Sequence, residues 1–303
     1  MRPVDSALAV RIHSALTAYE EQNGPLPGLS DRGRNLALVE QIVESVRRRQ
    51  YIERIQDRQL SPLRMDPRSG LFDPIKAAIL HARTGDPEEA CWLAFLSIHF
   101  GRHRRGGWRY CAAIYAGAND LECWEWRSVS SDVRGFTRWV AENEERIRKQ
   151  GGGFGSHRKY EMLGATTITV ASYVSWVGPR HSQVRHFMEV IAQANGDPRL
   201  AFDLLYQSMN AVARFGRTAR FDYLTLLSRL GLAPIVPARA YLVGATGPLK
   251  GARLLFGDPA DNALQLENRL NDLDRLLKVG FDVIEDALCN WQKSPSKFLA
   301  FRG

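Results

Sequence analysis

Three times in this chain an Asp-Pro pair stands just before an apolar run with a three-to-four-residue rhythm. They are Asp73-Pro74 in "FDPIKAAILHARTG", Asp86-Pro87 in "GDPEEACWLAFLSIHFG" and Asp197-Pro198 in "GDPRLAFDLLYQSMNAV". An Asp side chain accepts the free amides of a helix's first turn, and Pro at the first helical position gives up no hydrogen bond. Each pair therefore predicts a helix start. The rhythm recurs elsewhere. "DRGRNLALVEQIVESVRRRQYIERI" puts Leu36, Val39, Ile42, Val43 and Val46 at helical spacing behind Asp31 as a cap. "WRYCAAIYAG" and "VRGFTRWVAENEERIRKQ" are amphipathic in the same way, and "ADNALQLENRLNDLDRLLKVGFDVIEDALCNW" supports one long helix or two short ones. Only "ATTITVASYVSWV" (165–177) has the β-branched content of a strand. It also places Val170, Tyr173, Val174 and Val177 on one helical face, and no partner strand is evident, so it reads as helix. "APIVPARAYLVGATGP" reads as loop. The fold class is all-α, and the glycine-rich "QGGGFGSHRK" marks a boundary between an N-terminal lobe, 1–150, and a second lobe, 151–303.

Forty-one basic residues against thirty-three acidic ones leave a formal charge of +8, which favours an anionic partner such as nucleic acid. Cys91, Cys111, Cys123 and Cys289 are scattered without a CxxC pair, so neither a zinc site nor a disulfide framework is expected. No His/Asp/Glu set has metal-ligand spacing, and no cofactor is implied. "MRPVDSALAV" is too polar for a signal peptide and no apolar run has transmembrane length. These features point to a reduced, cytoplasmic setting.

The charge is concentrated in three glycine-marked loops. "HFGRHRRGGWRY" (99–110) carries Arg102, His103, Arg104 and Arg105 around Trp108, a set able to contact phosphates and stack on a base. Its alternative is a solvated connection with Trp108 folded into the core. "GGGFGSHRKYE" (151–161) offers backbone amides to an anion beside His157, Arg158, Lys159 and Tyr160. It has no Gly-Lys-Ser/Thr at the spacing of a nucleotide-binding loop, and the bland reading is a flexible linker. "YLVGATGPLKGARLLFG" (241–257) sets Gly244, Gly247 and Gly251 among Lys250 and Arg253 at a helix start, where amides and dipole attract phosphate.

A fourth stretch, "RFGRTARFDYLTLLSRLG", has Gly216, then Arg217, then small residues, then an apolar helix. That is the local logic of a helix-hairpin-helix turn, whose amides touch a DNA phosphate. "FGRTA" looks like the Gly-x-Gly-basic-Lys-Thr-Ala segment of helix-hairpin-helix DNA glycosylases related to endonuclease III, with Arg214 where the first glycine would stand. Together with "WLAFLSIHFGRHRRGGW", "GSHRKYEML", "YLVGATGPLKGARLLFG" and "EDALCNWQKSP", in this order over roughly residues 40–303, the chain resembles the α-glutamyl/putrescinyl thymine pyrophosphorylase family, clade 3 type, a divergent branch of that superfamily. The resemblance implies two helical lobes with a DNA/base cleft between them, and a DNA partner carrying a modified pyrimidine of the kind found in phage DNA. The implied activity is base excision in antiphage defence. The alternatives are synthetic transfer of an amine or amino acid onto an activated thymine, and a DNA-binding module without turnover.

Where ordinary superfamily members carry a catalytic Asp, "PIVPARAYLVG" has Arg239 and no carboxylate. Excision places positive charge on the sugar, so a carboxylate is needed near the phosphate grips once the base is flipped out. Glu285, at the margin of the apolar stripe Phe281, Ile284, Leu288 and Trp291, and Asp222, on the polar face of the hairpin helix, are the leading candidates; each has a structural ion pair as its alternative. Asp258 in "GDPAD" reads as an N-cap before Pro259, which would put Asp261, the third candidate, in a first helical turn. The phosphate contacts expected are Arg102, Arg104, Arg105, Arg158, Lys159, Gly216, Arg217, Gly247 and Lys250. Trp108, His157, Tyr160 and Trp291 are expected to line the base pocket, and His99 or His157 to donate a proton.

Overall fold

The computed structural model of the chain describes residues 3–117, 123–155, 158, 161–260 and 262–300. Their regular structure is helical: α1 (Pro3–Asn23), α2 (Arg32–Gln56), α3 (Pro74–Arg83), α4 (Pro87–Phe100), α5 (Arg109–Tyr115), α6 (Trp126–Ser131), α7 (Val133–Gly151), α8 (Thr166–Val177), α9 (Gln183–Gln193), α10 (Pro198–Ser208), α11 (Arg217–Arg229), α12 (Gly247–Phe256), α13 (Ala263–Leu277) and α14 (Phe281–Trp291). Among the described residues there is no strand, only an isolated backbone bridge between His103 and Gly107.

The three Asp-Pro pairs cap as expected. Asp73 accepts from the amide of Lys76, Asp86 from that of Glu89, and Asp197 from those of Arg199 and Leu200. Asp31 accepts the amide of Arg34 at the start of α2. The β-branched segment is α8. It buries Val170, Tyr173, Val174 and Val177, the face set by its 3.6-residue period. Asp258 does not cap a helix. It accepts the amide of Ala260 in a local turn, and α13 starts only at Ala263 behind a capping box of Asn262 and Gln265. Asn262 wins because its side chain and that of Gln265 satisfy two orphan amides reciprocally.

The chain divides into two compact units, Met1–Glu53 with Pro237–Arg302, and Arg54–Val236. In the first, α1 packs on α13 and α12 on α14 around Ile12, Leu16, Leu270, Leu273 and Leu288. Gln150 and Gly151, where the sequence suggested a lobe boundary, lie in α7 inside the second unit.

The second unit is built round α4. Eleven of its fourteen residues are buried, because "ACWLAFL" is apolar on every side, and α3, α5, α6, α9 and α11 pack against it. Phe95 stacks on Tyr173 with ring centroids 3.9 Å apart and lies against Phe215 and Tyr223. The Tyr173 and Tyr223 hydroxyls lie 2.6 Å apart, and the Tyr173 hydroxyl also donates to Gln183 Oε1, so this buried polar chain is satisfied. Each such aromatic contributes roughly 1.5–3 kcal/mol by burial.

Candidate nucleic-acid interface

Three of the sequence features converge in the second unit. The first is the arginine-rich loop after α4. His103 and Gly107 exchange two backbone hydrogen bonds of 2.9 Å, and the Gly106 amide donates to His103 Nδ1 at 2.9 Å. This closes "HRRGG" into a small hairpin with Arg104 and Arg105 at its tip. Arg102, Arg104, Arg105 and Arg109 are exposed and make no ion pair among the described residues. Trp108 is half-buried at the start of α5, so it is not folded wholly into the core.

The second feature, the glycine-rich loop after α7, packs backbone to backbone on the first. The Gly155 amide donates to Phe100 O at 2.8 Å, and a Cβ on Gly155 would lie 2.8 Å from the Gly101 carbonyl carbon. Gly152, at φ +109°, would meet Gly106 Cα at the same distance. These glycines allow close approach of two loops; the flexible-linker alternative does not describe residues 152–155. His157, Lys159 and Tyr160 lie outside the described residues.

Arg158 fastens this loop to the third feature. Its Nε donates to His99 O at 3.1 Å and its Nη2 to Arg214 O at 3.3 Å, while Glu161 lies 3.6 Å from Nη2. Glu161 also accepts from Arg214 Nε at 3.0 Å. Burial lowers the Arg158 pKa, and the nearby carboxylates of Glu161 and Asp222 oppose that shift. Its side chain is only 11% exposed. Arg158 thus has the contacts of a clamp between loops, in addition to any part in phosphate contact.

The third feature is a helical hairpin, α10, a short connection and α11. Arg214 sits in its turn at φ +57°. A left-handed backbone costs a non-glycine residue roughly 1–2 kcal/mol. This is the position at which the resemblance anticipates glycine, so the turn keeps the glycine conformation without the glycine. Gly216 caps α11 with extended backbone, φ −68° and ψ −175°, and as a glycine it has no side chain to cap the first turn. Nothing lies within 4 Å of where its Cβ would be. Folding does not demand a glycine here, and the space a side chain would take stays open. Arg217 lies over the Phe221 ring at 5.0 Å. Asp222 is half-buried in the second turn of α11, near enough to Arg158 to act on its charge.

The remaining expected site residues belong to the first unit. Lys250 is exposed on α12. Gly247 opens that helix against α14, where a Cβ would come 2.7 Å from Cys289 Sγ, so its lack of a side chain serves helix packing. Glu285 is 8% exposed, and Trp291, 2% exposed, sits in the core with its indole N–H donated to Pro295 O at 3.0 Å. Asp286, on the polar face of α14, pairs with Arg48 at 3.1 Å. Asp261 lies outside the described residues. Arg239, where the superfamily acid is absent, pairs at 3.7 Å with Glu267, a buried carboxylate that α13 brings in and that also accepts the Leu242 amide at 2.5 Å.

His99 is fully buried, bonded through Nε2 to Thr166 Oγ1 at 3.0 Å. Burial, with Arg158 and Arg214 adding to it, pushes its pKa down to about 3. The imidazole carries no extra proton to donate at neutral pH, which removes His99 as an acid. Two further carboxylates stand out only in the folded protein. Glu161 is the hub of the loop clamp. Glu89, 4% exposed on α4, has its pKa raised to about 8 by burial; its Oε2 accepts the Trp126 amide at 2.7 Å and its Oε1 has no hydrogen-bond partner of good geometry. Only their depth in the fold distinguishes them, and "GDPEEAC" and "KYEML" carry no sign of it.

Among the described residues no three His, Cys, Asp or Glu side chains are grouped to hold a metal ion, and no helix is long and apolar enough to cross a membrane. A family model described as alpha-glutamyl/putrescinyl thymine pyrophosphorylase clade 3 matches residues 34–303 of the chain. Neither a curated protein nor a solved structure matches it.

Proposed function

Because the chain belongs to the alpha-glutamyl/putrescinyl thymine pyrophosphorylase family, clade 3, we propose that it is an enzyme acting on a hypermodified pyrimidine, a thymine derivative first of all, in DNA. The observation that carries this reading is the convergence in the second unit of the arginine hairpin, the Arg158–Glu161 clamp and the α10–α11 turn, with Asp222 beside them. In this reading α10–α11 is a helix-hairpin-helix element. The backbone amides at the start of α11, next to Gly216, take a DNA phosphate, aided by the α11 dipole. Arg102, Arg104, Arg105 and Arg217 hold neighbouring phosphates, and Lys159, by its place in the sequence, joins them. Trp108 packs on the nucleotide once its base has left the stack.

The chemistry we favour is hydrolysis of the N-glycosidic bond. As the bond to the base breaks, charge builds on the sugar, and the Asp222 carboxylate stabilises it or activates a water. Asp222 ranks above Glu285 because it adjoins the phosphate-binding elements within one unit, whereas Glu285 lies in the core of the other. The family description favours a second reading, in which an amine or amino acid displaces pyrophosphate from an activated thymine.

One experiment separates them. The protein is incubated with DNA carrying pyrophosphorylated hydroxymethyluracil, with and without putrescine or glutamate, and with finished hypermodified phage DNA. Abasic sites with free base support excision, and amine-dependent pyrophosphate release supports transfer. Neither product on any modified DNA sinks the enzyme reading and leaves a binding module. With a product in hand, Asp222→Asn should cut turnover roughly 10²–10⁴-fold with binding kept, and Glu285→Gln should not.

A further inference from the structure

We propose that Glu161 is a positioning residue for the α10–α11 turn: with Arg158 it holds Arg214 in the left-handed conformation that a glycine would adopt by itself, and so sets the turn for a polyanion. The proposal rests on the functional reading above only in taking the turn as a DNA contact.

Three contacts meet on one residue. Arg214 gives its Nε to Glu161 Oε2 at 3.0 Å, and its carbonyl accepts Arg158 Nη2 at 3.3 Å. Arg158 is itself held at 3.6 Å by the other Glu161 oxygen, by the His99 carbonyl, and over the Phe215 ring at 5.6 Å. Glu161 is 15% exposed and has both arginines in reach. The Arg214 backbone, at φ +57°, is thereby gripped at the side chain and at the carbonyl, the two handles that fix the rotation around it. On either side the turn is anchored as well. The Ala213 amide donates to Ser172 Oγ at 2.8 Å, and Phe215 is buried against Phe95. A glycine needs none of this, since it visits the left-handed region without steric cost. An arginine placed there needs a restraint from outside, and the clamp supplies it.

A pure charge effect and a positioning role give DNA affinity changes of opposite sign. On charge alone, Glu161→Ala removes an acid beside a basic surface and tightens DNA binding, and Arg214→Gly added to it removes a cation and weakens binding. If Glu161 positions the turn, Glu161→Ala weakens binding to a short DNA duplex roughly fivefold at low salt, and the added Arg214→Gly restores it to within roughly twofold of the parent. Arg214→Gly alone binds like the parent. Fluorescence anisotropy reads the affinities and circular dichroism melting confirms that each variant is folded. Unchanged or tighter binding by Glu161→Ala, or no recovery in the double variant, overturns the proposal. If the parent protein binds no duplex at all, the functional reading falls, and the melting temperatures then decide the clamp. A drop in Glu161→Ala that Arg214→Gly reverses supports it, and a drop that it leaves or deepens overturns it.

Discussion

Glu89 is the residue at which burial acts most plainly on chemistry. Desolvation disfavours its ionised form, so the folded protein holds the proton up to about pH 8 whereas the unfolded chain releases it near the ordinary carboxyl value of 4.5. Between those two values the native state binds more protons than the unfolded one. Stability is therefore fullest at the acid end of this window, falls as pH rises through it, and levels off above about 8. Glu89→Gln keeps an oxygen for the Trp126 amide and has nothing to ionise. Chemical denaturation across that pH range should show the slope flattened, and the variant more stable than the parent at alkaline pH by on the order of a few kcal/mol. Glycines give a second pair of outcomes. Gly155→Ala puts a methyl against backbone at 2.8 Å and should lower stability by roughly 1–3 kcal/mol, whereas Gly216→Ala meets nothing within 4 Å and should leave the melting temperature within a degree or two of the parent. The sequence presents both as glycines in basic loops. It cannot tell the glycine that lets two chains touch from the one that leaves space open, because what lies opposite each comes from a distant part of the chain.

Elements were more legible than residues. Helix starts with a chemical cap, at Asp73, Asp86 and Asp197, stand where the sequence puts them, since cap and capped amide are three residues apart or fewer. The exception, Asp258, shows the limit of the rule. Two cap candidates lie within five residues, and the one with a reciprocal partner, Asn262 with Gln265, takes the helix. The long C-terminal apolar stretch resolves into α13 and α14, broken where Lys278 turns left-handed at φ +51° and Gly280 follows at φ +89°. Lys278 is a helix cap carrying the strain that glycine avoids, so Lys278→Gly should stabilise the first unit by about 1 kcal/mol, read as a rise in melting temperature. The helix α1 carries no clear apolar period in the sequence. Its buried face, Ile12, Leu16 and Tyr19, is identified by α13 packing on it.

For the whole molecule, the formal +8 says only that an anion is a suitable partner. The fold decides where the charge is usable. Glu161 occupies Arg158 and Arg214, whereas Arg102, Arg104, Arg105 and Arg109 stand exposed without an ion pair among the described residues. Replacing Arg104 and Arg105 together with alanine should weaken duplex binding and reduce the slope of log affinity against log salt by about 1.8, the value for two phosphates no longer neutralised. An unchanged slope would remove the hairpin tip from the interface. What the sequence determined by itself was local: an all-helical chain, the caps of its helices, the basic glycine-marked loops and, through ordered motifs, the family. Short-range chemistry fixes these, because a cap or an apolar period is complete within one or two turns. Tertiary structure alone decided that the first and last segments share a core, that two basic loops meet the hairpin while the third packs in the other unit, and that Asp222 stands near Arg158. Those outcomes depend on which faces bury together across scores of residues, where side-chain volume and desolvation compete, and no local pattern encodes the winner.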